Sequence, residues 1–242
     1  MNNEKEYTEG IRLQKRREGG RAENFWYHYK WPVIGVLVFA LIFGICIAQS
    51  CSKENDDILL LYAGPHLLTA NELASVKEVM TGVMPYDFDG NGEKRVGIST
   101  YNIYSREQIE QITAEDASVR FDTARNSSEL KVYQEYIKKG ESAVYLLDPW
   151  LYESLRDDPA CPLQLLSDVL AEMPQGALAD GYGVRLGDTE LYKSYAVLQA
   201  LPEDTVVCLS RPYVLGKTSK EEFYLLEKKM FAALVDGSLK ES

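Results

Sequence analysis

The sequence predicts an α/β domain with a largely parallel sheet and flanking helices, preceded by one transmembrane helix. Beyond residue 57, short apolar runs of strand length alternate with segments that have helical spacing, the pattern typical of a parallel sheet. Apolar residues make up 45% of the chain, enough for a sizeable core. One uncharged run, from Trp31 to Ala48, precedes all of these segments.

The uncharged run WPVIGVLVFALIFGICIA has the length of a membrane span. A helix over Trp31–Ala48 is about 27 Å long, close to the hydrocarbon thickness of a bilayer. The aromatic cluster FWYHYKW at residues 25–31 is typical of the belt at a membrane interface. We therefore expect a transmembrane helix over residues 31–50.

The charges beside the run predict its orientation. Residues 1–30 carry seven Lys and Arg, whereas Lys53 is the only cation in the twenty residues after Ser50. By the positive-inside rule, residues 1–30 form a basic cytoplasmic tail of a single-pass cell-membrane protein, and the C-terminal part is extracytoplasmic. The alternative is a leader or lipoprotein signal cleaved before Cys51, although Gln49 fits that site poorly. Either process leaves the C-terminal part outside.

The charge of the outer part limits its partners. Residues 51–242 carry 19 basic and 32 acidic side chains, a net charge of −13. This balance argues against nucleic acid or an anionic surface as a partner, and allows neutral solutes, cations or basic proteins.

Cysteine usage does not predict a disulfide framework. Cys161 and Cys208 are the only pair in the outer domain, and their spacing matches no zinc motif. Cys208 lies in the apolar stretch VVCL, which favours a buried free thiol over a Cys161–Cys208 bridge.

The first half of the domain contains clear start and stop signals for strands and helices. A polar linker over residues 51–57 leads into the apolar run DILLLYAG, which predicts a strand covered on both faces. Thr69 and Glu72 have capping-box spacing and predict a helix. RVGISTYNIYS predicts the second strand, after which Ser105 and Gln108 open a short helix.

The second half continues the alternation. We expect a helix capped by Asn126–Ser128 and ending before Gly140, followed by a strand at SAVYLLD. A helix started by Asp148 and Pro149 and a short helix over Gln164–Glu172 come next. Strands at 181–186 and 205–209 then lead to a last helix, which is capped by Thr218 with Glu221 and reaches Val235. Together these elements place one α/β domain over residues 58–242.

Several of these segments resemble a known family. The order SAVYLLDPWLYESL, CPLQLLSDVL, DGYGVRL is similar to extracellular solute-binding proteins of the type 2 periplasmic-binding fold, and TVVCLSRPYVLGKTSKEEFYLLEKKMFAALV resembles their closing strand and helix. The resemblance implies a periplasmic-binding-like lobe that binds a solute. Only about 20 residues separate DGYGVRL from the closing strand, so the second lobe would be reduced. A membrane helix would replace the family's lipid anchor.

Catalytic motifs are missing from the sequence. His28 and His66 are the only histidines, and neither a G-x-S-x-G elbow nor an H-E-x-x-H zinc motif occurs. LGKTS at residues 215–219 imitates the end of a phosphate-binding loop, but Arg211 stands where the earlier glycine is required. We therefore expect a protein that is not an enzyme and has no cofactor.

A ligand site is expected where parallel strands end, because ligands of open α/β sheets collect at the carboxyl edge. Aromatic, amide and carboxylate side chains at these positions suit a sugar or a peptide: Tyr62, His66, Asn102, Tyr104, Asp148 and Trp150. The alternative is that they only cover the sheet edge. The function expected is binding of a small solute or a partner, with a structural or assembly protein of an envelope complex as the alternative and an inward-signalling receptor as a third possibility.

The stretch PYDFDGNGEKRV at residues 85–96 raises the question of calcium. Asp87, Asp89, Asn91 and Gly92 match positions 1, 3, 5 and 6 of an EF-hand loop, but Ile98 stands where the bidentate glutamate is required. Short polar side chains and glycines favour a turn between helix and strand. A turn stabilised by weakly bound calcium is the alternative.

Overall fold

The computed structural model describes residues 25–46, 56–116, 118, 120–214 and 216–240. The chain divides into two compact units, Met1–Glu54 and Asn55–Ser242. In the first unit, helix α1 covers Phe25–Cys46 and is, by its 22-residue length and apolar composition, able to cross a membrane, as a signal sequence would also be. The aromatic cluster therefore forms the first turns of α1. Residues 1–24, the linker up to residue 55 and Cys51 lie outside the described residues.

The second unit is built on a mixed five-stranded sheet with the order β2-β1-β3-β5-β4. The strands are β1 Ile58–Gly64, β2 Val96–Asn102, β3 Val144–Leu147, β4 Gly183–Arg185 and β5 Val206–Leu209. β1 pairs in parallel with β2 and β3, and β5 runs antiparallel to both β3 and β4. Four strands thus share one direction, as predicted, and β5 is the exception.

Helices flank the sheet and occupy its connections. They are α2 Ala70–Val83, α3 Arg106–Glu115, α4 Thr123–Lys139, α5 Pro149–Arg156, α6 Leu166–Val169, α7 Glu190–Ser194 and α8 Glu221–Leu234, with 3-10 turns at Leu186–Asp188, Ala196–Ala200 and Lys217–Ser219. The capping boxes of α2 at Thr69 and of α3 at Ser105 are confirmed, as is the start of α5 at Asp148 and Pro149.

The predicted start of α4 is wrong. Asp122 caps this helix by accepting a hydrogen bond from the backbone N–H of Arg125 at 2.9 Å, so Asn126–Ser128 lie inside the first turns. The Asn126 side chain instead forms hydrogen bonds with the segment after β2. It accepts from Tyr104 N–H at 2.9 Å and donates to the Tyr104 carbonyl at 3.0 Å, which ties α4 to the segment after β2.

The predicted cap of the last helix is also wrong. Thr218 lies buried in a 3-10 turn, where its hydroxyl accepts from Tyr213 N–H at 3.3 Å. α8 begins after Lys220 without a side-chain cap. The helix over Gln164–Glu172 shrinks to Leu166–Val169, and the strand at 181–186 shrinks to Gly183–Arg185.

The core consists of two apolar clusters, one on each face of the sheet. Ile58, Leu60 and Tyr62 belong to the cluster covered by α2 and α8, whereas Leu61 and Ala63 belong to the cluster covered by α4 and α5. Because successive side chains of a strand point to opposite faces, β1 needs apolar residues at every position. This explains its unbroken apolar run.

Cysteines are free thiols in the described part of the chain. Cys161 is partly exposed, and Cys208 is fully buried in β5, where burial raises the pKa of its thiol. The structure thus has the buried free thiol that the sequence favoured.

Candidate functional site

The carboxyl edge of the sheet brings three neighbouring strand ends to one level. Ile103 N–H, just after β2, donates to the Gly64 carbonyl of β1 at 3.0 Å. Asp148 N–H, just after β3, donates to the Ala63 carbonyl at 2.8 Å. The ends of β2, β1 and β3 are therefore held side by side, as expected for a ligand-binding edge.

Tyr62 and Asp148 meet at Gly64. A Cβ placed on Gly64 would lie 3.3 Å from Asp148 Cβ and 3.4 Å from the Tyr62 hydroxyl. The Tyr62 side chain is only 2% exposed, and its hydroxyl has the backbone N–H of His66 as a nearby donor but forms no hydrogen bond of standard geometry within the described residues. Burial raises the pKa of Tyr62, and the negative charges of Asp148 and Asp204 raise it further. Glycine at this position thus leaves both the Tyr62 hydroxyl and Asp148 Cβ uncrowded.

Asp148 is fixed in place by two hydrogen bonds. One carboxylate oxygen accepts from Trp150 N–H at 3.1 Å, which caps α5, and the other accepts from the Gln108 side-chain amide at 3.0 Å. Burial raises the pKa of Asp148, these two bonds lower it, and the nearby charge of Asp204 raises it again. Each oxygen keeps a second lone pair for a ligand.

Asp204 was not among the predicted site residues. Leu147 pairs with Val206 in the antiparallel ladder, so Asp148 continues opposite Thr205, the neighbour of Asp204. Asp204 is exposed and makes no hydrogen bond or ion pair within the described residues. The antiparallel direction of β5 places it at this edge, and no local sequence pattern indicated that direction.

Asn102 and Tyr104 lie in a different part of the edge. The Asn102 side-chain amide donates to the Pro65 carbonyl at 2.8 Å and so holds the loop after β1. The two residues line a small cleft of about 180 Å³ together with Phe121, Asp122, Arg125 and Asn126. The six predicted residues therefore do not share one pocket.

Trp150 and His66 also lie apart from Tyr62 and Asp148. Trp150 packs against the apolar cluster under α4 and α5, and its buried indole N–H has no partner within the described residues. His66 is exposed in the loop that follows β1. For Trp150, covering the sheet edge describes the structure better than an open ligand contact.

A second cleft, of about 370 Å³, opens beyond β3 on the α5 side. Asp180 accepts the Tyr152 hydroxyl hydrogen at 2.6 Å and pairs with Arg156 at 3.1 Å. Arg185 and Asp204 line the same cleft. Asp180 is thus neutralised by its neighbours, in contrast to Asp204.

The stretch at residues 85–96 forms the connector between α2 and β2. Asp87 accepts from the backbone N–H groups of Gly90 and Gly92 at 2.8 and 2.7 Å, and these bonds keep the pKa of Asp87 low. Asp89 accepts from the backbone and side chain of Asn91 at 3.0 and 2.8 Å. Both glycines have positive φ, 70° and 92°. The segment has the contacts of a polar turn.

Asp57 joins this turn, although the sequence placed it in a solvated linker. Its residue exposure is 4%, and its carboxylate accepts backbone N–H groups from Phe88, Asp89 and Arg95. One oxygen each from Asp57, Asp87 and Asp89 fall within 4.8 Å of one another. Asp57 thus stands beside the two predicted aspartates, but these carboxylates already accept backbone or side-chain N–H groups.

No protein-family model matches the chain, and no curated protein or solved structure matches it either. At the carboxyl edge, the geometry provides hydrogen-bond acceptors and negative charge: a buried phenol, a fixed carboxylate and a free carboxylate. Each of these groups has an oxygen atom that can accept a hydrogen bond.

Proposed function

We propose that this chain is a non-catalytic, single-pass membrane protein whose α/β domain binds a small solute outside the cell. α1 supplies the span, with an 18-residue window of mean hydropathy 2.0. The excess of Lys and Arg before the span supports a cytoplasmic N-terminus. In this arrangement, the acidic α/β domain is displayed at the outer surface.

The observation that carries the binding function is the meeting of Tyr62 and Asp148 at Gly64. A buried hydroxyl that has only the backbone N–H of His66 near it, and a partly buried carboxylate, are costly to hold in a domain that makes no use of them. Their position at the ends of neighbouring parallel strands is where open α/β sheets bind ligands. Solute binding accounts for both facts.

The sequence resemblance supports the same proposal. The segment SAVYLLDPWLYESL forms β3 and α5, with Asp148 at their junction. The closing segment forms β5 and α8 and returns the chain to the middle of the sheet, between β3 and β4. By that resemblance, these elements would belong to a single reduced solute-binding lobe.

A ligand screen on the full-length protein in detergent tests this function. We expect at least one sugar, short peptide or small amine to raise the melting temperature in proportion to the logarithm of its concentration. Asp148→Asn should reduce that shift, whereas Glu78→Gln, an exposed change of equal charge on α2, should leave it intact. A flat response to every compound would contradict solute binding.

The assembly alternative has one observation in its favour. Leu67 and Val214 expose 63% and 93% of their surface, so a partner that covered either residue would gain the burial of an apolar side chain. An envelope protein that docks on these residues would co-purify with the full-length chain. Co-purification that Leu67→Ser or Val214→Ser abolishes, together with a flat ligand screen, would favour assembly.

The orientation is tested in intact cells. Protease added outside should digest the α/β domain of the wild type. Replacing Lys15, Arg16 and Arg17 by glutamate removes the cationic cluster and should protect a fraction of the molecules, because orientation follows cytoplasmic Lys and Arg. Protection of the wild-type domain would contradict an extracytoplasmic location.

A further inference from the structure

We propose that the outer edge of β2 binds an extended segment of a partner protein, which adds a strand to the sheet and places carboxylates against Lys131 and Lys139. The inference goes beyond solute binding and uses none of the residues proposed for it at the carboxyl edge. An exposed strand edge is a template for such pairing, because its N–H and C=O groups have no partner inside the domain.

β2 is an edge strand, and alternate residues direct their backbone groups away from the domain. β1 and β2 pair one to one along the whole of β2. Ile103 N–H, just after β2, donates to the Gly64 carbonyl of β1 at 3.0 Å, so the odd-numbered residues bond to β1. Because backbone directions alternate along a strand, Ile98 and Thr100 direct N–H and C=O outward. No described group bonds to them on that side.

The two edges of the sheet differ in their protection. β4, at the other edge, has three residues and carries Arg185. Its outer side is covered, because Leu178 N–H donates to the Gly183 carbonyl at 2.8 Å. β2 has seven residues, VGISTYN, without a charge, a proline or a bulge. Proteins protect sheet edges by short strands, charges, prolines, bulges or covering segments, and β2 has none of these within the described residues.

A groove of about 330 Å³ lies beside this edge, on the face of the sheet that α4 covers. α4 returns the chain from the end of β2 to the start of β3, so it runs along the strands. The Tyr101 ring of β2 meets the Tyr136 ring of α4 edge to face at 5.7 Å, and Val132 exposes 51% of its surface. An apolar side chain of an added strand would bury Val132 here.

The groove also carries positive charge that the described domain leaves unpaired. Lys131 and Lys139 are exposed and form no ion pair within the described residues, whereas Glu135 between them pairs with Lys138 at 3.1 Å. The helix rises about 12 Å from Lys131 to Lys139. Four residues of an extended chain cover about 13 Å, so side chains at positions i and i+4 of a partner strand reach both lysines. Carboxylates at these positions match the charge.

A second copy of this chain fits the groove less well than an acidic partner does. If β2 of another copy continued the same sheet, it would turn Gly97, Ser99 and Tyr101 to the α4 face. None of these side chains has a carboxylate, and the second copy would bring its own Lys131 and Lys139 to the same face. A partner strand with acidic, apolar and acidic side chains on one face matches both the edge and the lysines.

Titration calorimetry of the full-length protein in detergent tests the proposal with a defined peptide, acetyl-Thr-Glu-Thr-Val-Thr-Glu-Thr-amide. Its glutamates are four positions apart and share one face with the valine. We expect saturable binding. The same peptide with lysine in place of both glutamates should bind at least about tenfold more weakly, because two attractions become repulsions.

N-methylation of the peptide tests the strand pairing itself. Only every second peptide N–H faces β2, so methylating one alternate set of amides removes the bonds to the edge, whereas methylating the other set leaves them. We expect one set to abolish measurable binding and the other to keep the affinity within about threefold. Equal losses from both sets would contradict strand pairing.

Thr100→Pro tests the edge from the protein side. Proline removes an outward N–H and places its ring in the path of an added strand, without breaking the ladder to β1. We expect at least about tenfold weaker binding at a nearly unchanged melting temperature, which a folding defect would lower. Lys131→Gln and Lys139→Gln should each weaken binding about two- to fivefold, and Lys220→Gln, an exposed lysine outside the groove, should not.

The other outcomes overturn the proposal in distinguishable ways. A dimer in light scattering that Thr100→Pro dissociates, with no peptide bound, would assign the edge to a second copy. Peptide binding that Asp148→Asn abolishes and Thr100→Pro leaves intact would belong to the carboxyl edge and would support solute binding instead. Absence of both peptide binding and dimers would leave the solute proposal standing and remove this one.

Discussion

The Asp57 carboxylate accepts the backbone N–H of Arg95 at 2.9 Å, and this bond joins the start of β1 to the start of β2. The other oxygen of Asp57 accepts the N–H groups of Phe88 and Asp89 at 3.2 and 3.1 Å. One buried side chain therefore holds both ends of the turn that precedes β2. The turn depends on Asp57 at least as much as on its own aspartates.

We predict that Asp57→Asn destabilises the domain by about 1 to 3 kcal/mol, because an amide nitrogen replaces one acceptor and faces a buried N–H. Thermal unfolding of the full-length protein measures the effect. Asp56→Asn is the control, since it removes the same charge from an exposed neighbour. Equal losses in the two variants would assign the effect to charge rather than to these hydrogen bonds.

Calcium provides a second test of the turn. Because Asp57, Asp87 and Asp89 already accept hydrogen bonds from nearby N–H groups, we expect the same melting curve with millimolar calcium and with chelator. Asp89→Ala should likewise melt at one temperature under both conditions. A calcium-dependent rise in the wild type that Asp89→Ala abolishes would contradict this prediction and establish a metal-stabilised turn.

The features predicted correctly depend on neighbours in the sequence. Thr69 with Glu72 and Ser105 with Gln108 form capping boxes whose partners are three residues apart, so their spacing alone predicts the bonds. Asp57, in contrast, accepts hydrogen bonds from Phe88, Asp89 and Arg95, which lie 31, 32 and 38 positions further along the chain. Its sequence context, beside another aspartate, indicated only a solvated linker.

The site residues also differ in whether their local sequence predicts their position. Asp148 was predicted because an apolar strand ends there and a proline follows, and the structure places it at the edge. Asp204 was missed because its position depends on β5 being antiparallel, a property of the whole sheet. Tyr62 was expected to present its ring to a ligand, but both faces of β1 are covered, so only its hydroxyl approaches the edge.

Gly64 offers a test of the edge that does not remove any polar group. In Gly64→Ala the new methyl would lie 3.3 to 3.4 Å from Asp148 and the Tyr62 hydroxyl, which requires a shift of a few tenths of an ångström. We expect a stability change within about 1 kcal/mol, since reduced freedom of the unfolded chain offsets the crowding. Ligand-induced stabilisation should fall, because the methyl crowds both Asp148 and the Tyr62 hydroxyl. Full ligand response in this variant would place the site elsewhere.

The corrected start of α4 is testable by two truncations. Asp122→Ala removes the side chain that caps the helix and should cost about 1 kcal/mol. Ser128→Ala removes a residue that lies exposed inside the helix and should be close to neutral or slightly stabilising. Denaturant unfolding of both variants measures the difference. A larger loss for Ser128→Ala would restore the start predicted from the sequence.

Glu227 is an acidic residue that is fully buried in the described part of the chain. It lies in α8 with 0% exposure, and its carboxylate oxygens form no hydrogen bond of standard geometry within the described residues, although the backbone N–H groups of Ala143 and Val144 lie near them. Burial raises its pKa from 4.5 to about 8, an effect that the nearby N–H groups of Ala143 and Val144 and the charge of Lys217 offset only in part. The folded domain therefore keeps Glu227 protonated at neutral pH.

The sign of the resulting pH dependence follows from proton binding. Below about pH 4.5, the carboxyl is protonated in both states and its full contribution to stability is present; between pH 4.5 and 8, only the folded state keeps the proton. Stability should fall in this range by at most about 1.4 kcal/mol per pH unit, and the loss is complete above pH 8. Glu227→Gln cannot ionise, so its stability relative to the wild type should rise with pH across the same window. The free energy of unfolding, measured from pH 5 to 9, should show this growing difference for Glu227→Gln. The control Glu222→Gln, which changes an exposed residue of α8, should run parallel to the wild type. Parallel curves for all three proteins would mean that Glu227 titrates normally.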